Sequence, residues 1–224
     1  MHDDVPLLRN DRQEAILQSA ERLFADQGFH AVTLRQIAEA AEVPLALVGY
    51  YFGRKNDLFR AIFAHRRSGH AEGLAALDDA RRQPQHPDAL TQVVQALVLP
   101  ILKMRHQPRT MSYARLLARE LMEGTNQPDH PMRDVFEPLA QRYLDALRSL
   151  QPLAGQADLA WACQFSLGAL AMHLRDQRVE RLSQGRAHAA DPAAAPRLVT
   201  FIAGGLRACL LASPVRATGE RSTG

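Results

Sequence analysis

The chain has 224 residues, of which 46% are hydrophobic, and its formal net charge is +3. This composition is ordinary for a water-soluble globular protein, and no apolar run approaches the ~20 residues of a membrane-spanning helix. A chain of this length forms one large domain or two small ones, and either arrangement can bury a hydrophobic core.

The N-terminal stretch, MHDDVPLLRND, is acidic and lacks the basic-then-apolar layout of a secretory signal. We therefore expect a cytoplasmic protein whose two cysteines, Cys163 and Cys209, are reduced. The net positive charge alone does not indicate nucleic-acid binding, because residues 1–60 contain seven Arg or Lys and nine Asp or Glu. A DNA-binding surface in this region must depend on where its cations are placed.

The first predicted helix runs from about Asp11 to Gln27, after a loose arm of residues 1–9. Its inner face repeats at helical spacing and consists of Ile16, Ala20, Leu23 and Phe24. Gly28 is placed to end the helix, because glycine readily adopts the left-handed backbone conformation found at helix ends.

Residues 33–55, TLRQIAEAAEVPLALVGYYFGRK, predict two short helices joined by a tight turn. Thr33 is a candidate N-cap for the first of them, whose apolar stripe is Leu34, Ile37, Ala38 and Ala41. Glu42 and Val43 form the turn, and Pro44 follows where the start of a helix tolerates a missing N–H. Gly53 ends the second helix, whose buried side is Leu47, Val48, Tyr51 and Phe52. This arrangement is a helix-turn-helix, in which the second helix enters the major groove of DNA.

The segment from about residue 10 to residue 62 resembles the tetracycline-repressor (TetR) family. The matching positions are Ala15-Ile16, Ala20, Leu23-Phe24, Gly28, Phe29-His30, Thr33-Leu34, Ile37-Ala38, Ala41, Val43 and the run from Tyr50 to Leu58. The resemblance implies an all-helical homodimer with an N-terminal DNA-binding domain and a C-terminal ligand-sensing domain. The chain departs from the family pattern at Pro44-Leu45-Ala46-Leu47, at Gly49 and at Arg54, which affects the detailed base contacts rather than the fold.

The residues expected to contact DNA lie on both short helices and just after them. Tyr51 is interpreted as packing inward while Tyr50 offers its hydroxyl to a phosphate, although two tyrosines at the edge of the core are an alternative. The resemblance adds Lys55 as a phosphate contact, which otherwise is a solvated lysine. Leu45 and Ala46 can touch only a thymine methyl, whereas Arg35 can contact guanine through two hydrogen bonds. The complete predicted set is Thr33, Arg35, Gln36, Pro44, Leu45, Ala46, Gly49, Tyr50, Tyr51 and Lys55.

The remaining chain predicts further helices and one linker. A fourth helix begins near Asn56-Asp57 and continues to about Ala80, and residues 81–87, RRQPQHP, form the linker. Asp88 is a candidate cap for the next helix, which Pro100 should kink. Further helices are expected over residues 109–123, 132–150, 158–182 and 195–212, with a loop at 124–131. The predicted domains are residues 10–57 for DNA binding and 58–212 for ligand binding and dimerisation, followed by a disordered tail at 213–224.

No catalytic or metal-binding constellation is present, so neither an enzyme nor a cofactor is predicted. The histidines lack the helical spacing of a zinc hydrolase, and neither a Cys-x-x-Cys pair nor a Gly-x-Ser-x-Gly elbow occurs. His173 lies on an apolar stretch and is more simply a satisfied core histidine than a ligand or base.

Soft and aromatic side chains in the C-terminal half can line an adaptable apolar pocket, although they are equally often plain core. Inward-facing arginines would suit a carboxylate or phosphate there, with solvent exposure as the alternative. Short apolar runs weakly resemble the TetR branch that senses fatty acids or acyl-CoA, which favours an apolar acid or acyl thioester as effector. The predicted pocket residues are Met104, Met111, Arg115, Leu117, Arg119, Trp161, Phe165 and Met172.

Small residues on the last two long helices favour a dimer interface, because they let helices approach closely. The alternative is close packing inside one subunit. The predicted interface residues are Gly168, Ala169, Gly204, Gly205 and Ala208.

Together these features predict a ligand-responsive transcription regulator, acting as a repressor. It would bind a near-palindromic double-stranded DNA operator as a homodimer and leave it when a small apolar effector binds. The alternative is a helical ligand-binding or protein-interaction module that no longer reads DNA. The acidic balance of residues 1–60 and the apolar second helix keep this alternative open.

Overall fold

The computed structural model describes residues 9–123 and 132–211, a part of the chain that contains eleven α-helices and no strand. The first four are α1 (Arg9–Gln27), α2 (Leu34–Ala40), α3 (Leu45–Phe52) and α4 (Lys55–His65). The next four are α5 (Arg67–Arg82), α6 (Ala89–Arg105), α7 (Met111–Glu123) and α8 (Arg133–Leu150). The last three are α9 (Gln156–Arg175), α10 (Arg178–Leu182) and α11 (Ala194–Leu206), followed by a π-helical turn, Arg207–Leu211. The predicted all-α fold class is confirmed.

The N-terminal hydrophobic cluster joins α1–α4 to α7. At its centre the ring of Phe59 lies edge-on to those of Phe24 and Phe29, with centroids 5.2 and 4.9 Å away. Tyr113 and Leu117 of α7 are buried in the same cluster, which also includes Met104 and Met132. α7 packs on α1, and its Tyr113 ring lies 5.5 Å from that of Phe63 on α4, so a movement of α7 can reach the helix-turn-helix through α1 and α4.

The C-terminal hydrophobic cluster is formed by α5, α6, α8, α9 and α11. Its large buried members include Leu77, Val93, Leu97, Ile101, Tyr143, Leu147, Leu159, Leu170 and Ile202. The Tyr143 hydroxyl and Ser166 Oγ lie 3.0 Å apart inside this cluster, and Ser166 also donates to the Ala162 carbonyl at 2.7 Å. These bonds give the buried hydroxyl groups their partners, as burial requires.

The prediction of a single long fourth helix is wrong, because the helix breaks at Arg66. This residue, at φ −88° and ψ 4°, ends α4 and precedes α5. The Arg66 side chain is held by α1, which fixes the break. The linker is also shorter than predicted, since α5 extends to Arg82 and the linker begins at Gln83. Asp88 occupies the N-cap position of α6 but makes no capping bond through its side chain, and α6 continues through Pro100 to Arg105.

The predicted helix over residues 158–182 is divided into α9 and α10. Asp176 has an extended backbone, at φ −95° and ψ 132°, and therefore ends α9. Its carboxylate accepts from the Arg178 backbone N at 2.6 Å, which secures the start of α10. Residues 1–8 of the predicted arm, the predicted loop at 124–131 and the predicted tail at 213–224 lie outside the described residues. The division at residues 57 and 58 stays a prediction.

Candidate nucleic-acid interface and effector site

The predicted helix-turn-helix is formed by α2 and α3. Thr33 Oγ1 accepts from the Gln36 backbone N at 3.3 Å, and Gln36 Oε1 accepts from the Thr33 backbone N at 2.8 Å. This reciprocal capping box confirms Thr33 as the N-cap of α2. Glu42 makes the turn with a left-handed backbone at φ +54°, and Gly53 ends α3 at φ +71°. Val48 of α3 is completely buried, which fixes the orientation of that helix.

Most of the predicted DNA-contacting residues lie exposed on α2 and α3. Tyr50 is 72% exposed and Leu45 43% exposed, whereas Tyr51 is half-buried against the N-terminal cluster. The two tyrosine rings meet edge to face at 5.3 Å. Their placement agrees with an inward Tyr51 and an outward Tyr50, and contact of Tyr50 with phosphate stays a prediction. The other exposed residues are Thr33, Arg35, Gln36, Pro44, Ala46 and Gly49.

Lys55 has a structural role that was not predicted. Its Nζ donates to the backbone carbonyls of Phe29 at 2.9 Å, His30 at 3.4 Å and Val32 at 3.0 Å. Nζ also lies 4.6 Å from the centre of the Phe29 ring, and burial lowers the pKa of Lys55. Because the protein already supplies acceptors for the ammonium group, a phosphate contact requires it to leave at least one of them. That contact stays a prediction.

An open cleft of about 570 Å³ lies between the C-terminal end of α1 and helices α6, α7 and α9. Four arginines line it, Arg105, Arg115, Arg119 and Arg175, together with Asp26 and His106. Its apolar lining consists of Ala25, Met111, Ala118, Leu174 and Ala190. The combination suits a molecule that has an anionic group and a small apolar part.

The predicted pocket residues do not all meet in this cleft, and the set that lines the effector site stays a prediction. Met111, Arg115 and Arg119 line the cleft, whereas Met104 and Leu117 are buried in the N-terminal cluster. Trp161, Phe165 and Met172 are exposed on α9. They were predicted as pocket lining because apolar residues at helical spacing do not reveal whether they face a cavity or the surface.

α9 and α11 pack against each other, and both expose large apolar side chains. Trp161 and Phe165 stack with ring centres 5.5 Å apart, and Phe201 on α11 is 72% exposed. A Cβ added at Gly168, Gly204 or Gly205 would meet no atom within 4 Å. These glycines therefore do not serve close packing inside the subunit. Ala169 is half-buried on α9, and Ala208 is exposed on the π-helical turn.

Family comparisons agree with this architecture. Residues 16–62 match the model described as bacterial regulatory proteins, tetR family, and residues 95–205 match that of the tetracyclin repressor-like C-terminal domain. The chain belongs to the TetR family. TetR-family proteins are transcriptional regulators, and α2 and α3 of this chain lie within the region that matches the family model.

Two curated TetR relatives match parts of the chain. It is 40% identical over 53 residues to the HTH-type transcriptional regulator HbdR of Aromatoleum sp. (strain CIB). This match covers 24% of this chain and 23% of HbdR. It is 29% identical over 109 residues to the probable HTH-type transcriptional regulator YttP of Bacillus subtilis (strain 168), covering 49% of this chain and 50% of YttP. The chain thus matches 23% of the length of the first relative and 50% of the second.

Solved TetR-family structures have the same fold at low sequence identity. A SmeT–triclosan complex has a TM-score of 0.57 and 18% identity, with coverage of 87% of this chain and 90% of that one. The regulator FadR from Bacillus subtilis, in complex with stearoyl-CoA, has a TM-score of 0.50 and 15% identity, with coverage of 86% and 98%. Identities this low establish the shared fold alone.

Sequence reasoning missed the cleft residues Asp26, Arg105, His106 and Arg175. The position of Asp26 could have indicated a cationic partner, because an acid in the last turn of α1 interacts unfavourably with the helix dipole. The other three are spread over α6 and α9, and only the fold brings them together. Among residues 9–123 and 132–211, no helix is long and apolar enough to span a membrane, and no group of three His, Cys, Asp or Glu side chains is placed to hold a metal ion.

Proposed function

We propose that this TetR-family regulator is a repressor that binds a near-palindromic operator as a homodimer and is released by a small apolar acid. The observation that carries the proposal is the exposed outer side of α3, displayed while Val48 anchors its inner side. A helix held in this way can enter a major groove. Arg35, Gln36 and Tyr50 supply the polar groups of the proposed contact surface. Gln36 Oε1 is used by the capping box, so its amide NH₂ is the group available to a base or phosphate.

Dimerisation is proposed through the outward faces of α9 and α11. Trp161, Phe165 and Phe201 expose large apolar surfaces beside glycines that leave room for a partner helix. Burial of such surface is favourable, and small neighbours allow close helix approach. A two-fold dimer would present two copies of α3, which is why the proposed operator is near-palindromic.

An apolar acid or acyl thioester is the proposed effector. The structures of SmeT with triclosan and FadR with stearoyl-CoA are of similar fold and hold apolar ligands. In this chain the arginine-lined cleft next to α1 favours an anionic group on the ligand. Effector binding would reduce operator affinity by shifting the orientation of the DNA-binding helices.

A module that no longer reads DNA is the second candidate function. The observation in its favour is that α3 exposes Leu45, Ala46 and Gly49, none of which has a side chain able to donate a hydrogen bond to a base. Such a protein would keep the ligand site and the dimer and would lack sequence-specific DNA affinity.

A mobility-shift assay with DNA from upstream of the protein's own gene separates the two candidates. Regulator function predicts a shifted complex that survives excess nonspecific competitor, and a footprint with two related half-sites. If nonspecific competitor DNA removes the complex as well as unlabelled upstream DNA does, at every salt concentration, operator recognition is contradicted and the second candidate is favoured.

A further inference from the structure

The cleft between α1, α6, α7 and α9 contains more positive charge than its own acids balance. Arg115 Nη2 lies 2.7 Å from Asp26 Oδ1, and Arg119 Nε lies 2.7 Å from Glu123 Oε1. Arg105 and Arg175 form no ion pair within the described residues, although Arg105 Nη1 donates to the His173 carbonyl at 2.9 Å. Two guanidinium groups in one cleft are therefore left for an external anion.

The same cleft contains the contacts between α7 and the end of α1. Arg115 pairs with the Asp26 side chain, while Arg119 Nη1 donates to the Asp26 carbonyl at 3.2 Å. The Arg119 guanidinium also covers Gly28, where an added Cβ would lie 2.8 Å from Nη2. Two arginines of the C-terminal cleft thus hold the first helix of the DNA-binding region.

His106 makes the far wall of the cleft rigid. Its Nδ1 lies 2.8 Å from the Leu102 carbonyl oxygen, and its Nε2 lies 2.9 Å from the Ala190 carbonyl oxygen. Both ring nitrogens therefore face backbone carbonyl oxygens. This wall connects α6 to the segment between α10 and α11.

We infer that this cleft binds a small organic anion, a carboxylate or phosphate with a short apolar part, which competes with Asp26 for Arg115 and so loosens α1 from α7. The effect of this competition on operator binding rests on the proposed function, whereas the anion site itself does not. Arg175 and Arg105 attract the anion, and Met111 and Leu174 receive its apolar part. Arg119, paired with Glu123 and bonded to the Asp26 backbone carbonyl, stays in place when Arg115 changes partner.

The strength of the Asp26–Arg115 pair sets how far anion binding can weaken operator binding. Its side chains are 41% and 52% exposed, so breaking it costs only about 1.4- to 5-fold in equilibrium constant. An anion can therefore displace Asp26 at little cost. A dimer contains two such pairs, which together allow about 2- to 30-fold coupling to operator binding, a range that overlaps the roughly 5- to 150-fold usual for allosteric proteins.

Calorimetry on the full-length protein tests the anion site, with octanoate, benzoate and octyl phosphate as probes and 1-octanol as the uncharged match of octanoate. We expect at least one anion to bind, and Arg175→Gln to weaken it by roughly tenfold because a charge-assisted hydrogen bond is lost. Arg81→Gln removes a guanidinium outside the cleft and should leave binding unchanged. No binding by any of the three anions, equal binding of octanoate and octanol, or equal effects of the two variants would overturn the site.

The Asp26→Asn variant tests the competition, after a thermal melt has confirmed that it is folded. We expect it to bind the anion about 1.4- to 5-fold more tightly, because the competing carboxylate is gone, and to bind operator DNA about 2- to 30-fold more weakly without any anion. Anion binding that leaves operator affinity unchanged would overturn the competition and keep the site. A wild-type protein without operator affinity would instead contradict the proposed function, and the calorimetry would still decide the site.

Discussion

Glu21 and Arg66 form a two-pronged ion pair where three segments of the chain meet. Arg66 Nε and Nη2 donate to the two carboxylate oxygens of Glu21 at 2.8 and 3.1 Å, and Nη2 also donates to the Arg109 carbonyl at 2.9 Å. The two side chains are only 5% and 15% exposed. One guanidinium therefore connects α1, the break between α4 and α5, and the segment before α7.

We predict that Arg66→Ala lowers the free energy of unfolding by about 3 kcal/mol, because it leaves the Glu21 carboxylate buried without its cation. Burial already raises the pKa of Glu21, and Arg66 opposes that rise. Urea denaturation measures the loss. Lys103→Ala removes an exposed pair with Glu72 and should cost less than about 1 kcal/mol. Equal losses in the two variants would show that the Glu21–Arg66 pair is not shielded from solvent.

Lys55→Ala distinguishes the structural role of this lysine from a phosphate contact. Loss of its bonds to the Phe29 and Val32 carbonyls should lower stability by about 1–2 kcal/mol, since a charged donor is removed from partly buried acceptors. With Nζ occupied by the protein, we expect the salt dependence of operator binding to stay unchanged. Arg35→Ala, at an exposed position, is the stability control. A salt slope reduced by about one unit, with stability unaltered, would favour the phosphate contact instead.

Glu120 on α7 should make the protein less stable as the pH rises toward neutrality. Burial, helped by Glu123, raises its pKa from 4.5 to about 7, against the opposing effect of Arg119. The folded state therefore holds a proton that the unfolded state has released, and stability falls between pH 4.5 and about 7. Glu120→Gln should be more stable than wild type at pH 8 by up to about 3 kcal/mol, and the two should converge near pH 4.5. Stability curves that stay parallel from pH 4.5 to 8, measured by urea denaturation, would contradict this.

The helix-turn-helix could be predicted from the sequence because its determinants are local. The capping box of Thr33 and Gln36, the apolar spacing of Ile37 and Ala38, and the turn around Glu42 all lie within a few residues. The breaks at Arg66 and Asp176 could not be predicted in this way. At Arg66 the deciding partner, Glu21, is 45 residues distant, and the apolar pattern continues on both sides of the break.

The residues of the effector site could likewise be predicted only in part, because their partners are distant in the sequence. Trp161 and Phe165 were predicted as pocket lining, with plain core as the alternative, whereas both are exposed on α9, because a helix repeats in the same way against a cavity, a core and a partner. Arg115 and Arg119 were predicted to lie on the same helix. Their partner Asp26, 89 residues from Arg115 in the numbering, enters only when α7 packs on α1.

Quantitative operator binding by two matched variants is the most direct test of a dimeric regulator that reads DNA with α3. Tyr50 and Phe201 are both aromatic and both 72% exposed, but Tyr50 lies on α3 and Phe201 on α11. The measurement is fluorescence anisotropy with upstream DNA at fixed salt, combined with sedimentation of the free proteins. We predict that Tyr50→Asp stays dimeric and loses specific binding, and that Phe201→Asp becomes monomeric and loses binding through loss of the dimer. Two results would contradict the account. One is that Tyr50→Asp binds the upstream DNA with unchanged affinity, and the other is that the wild-type protein is monomeric and binds a single half-site equally well.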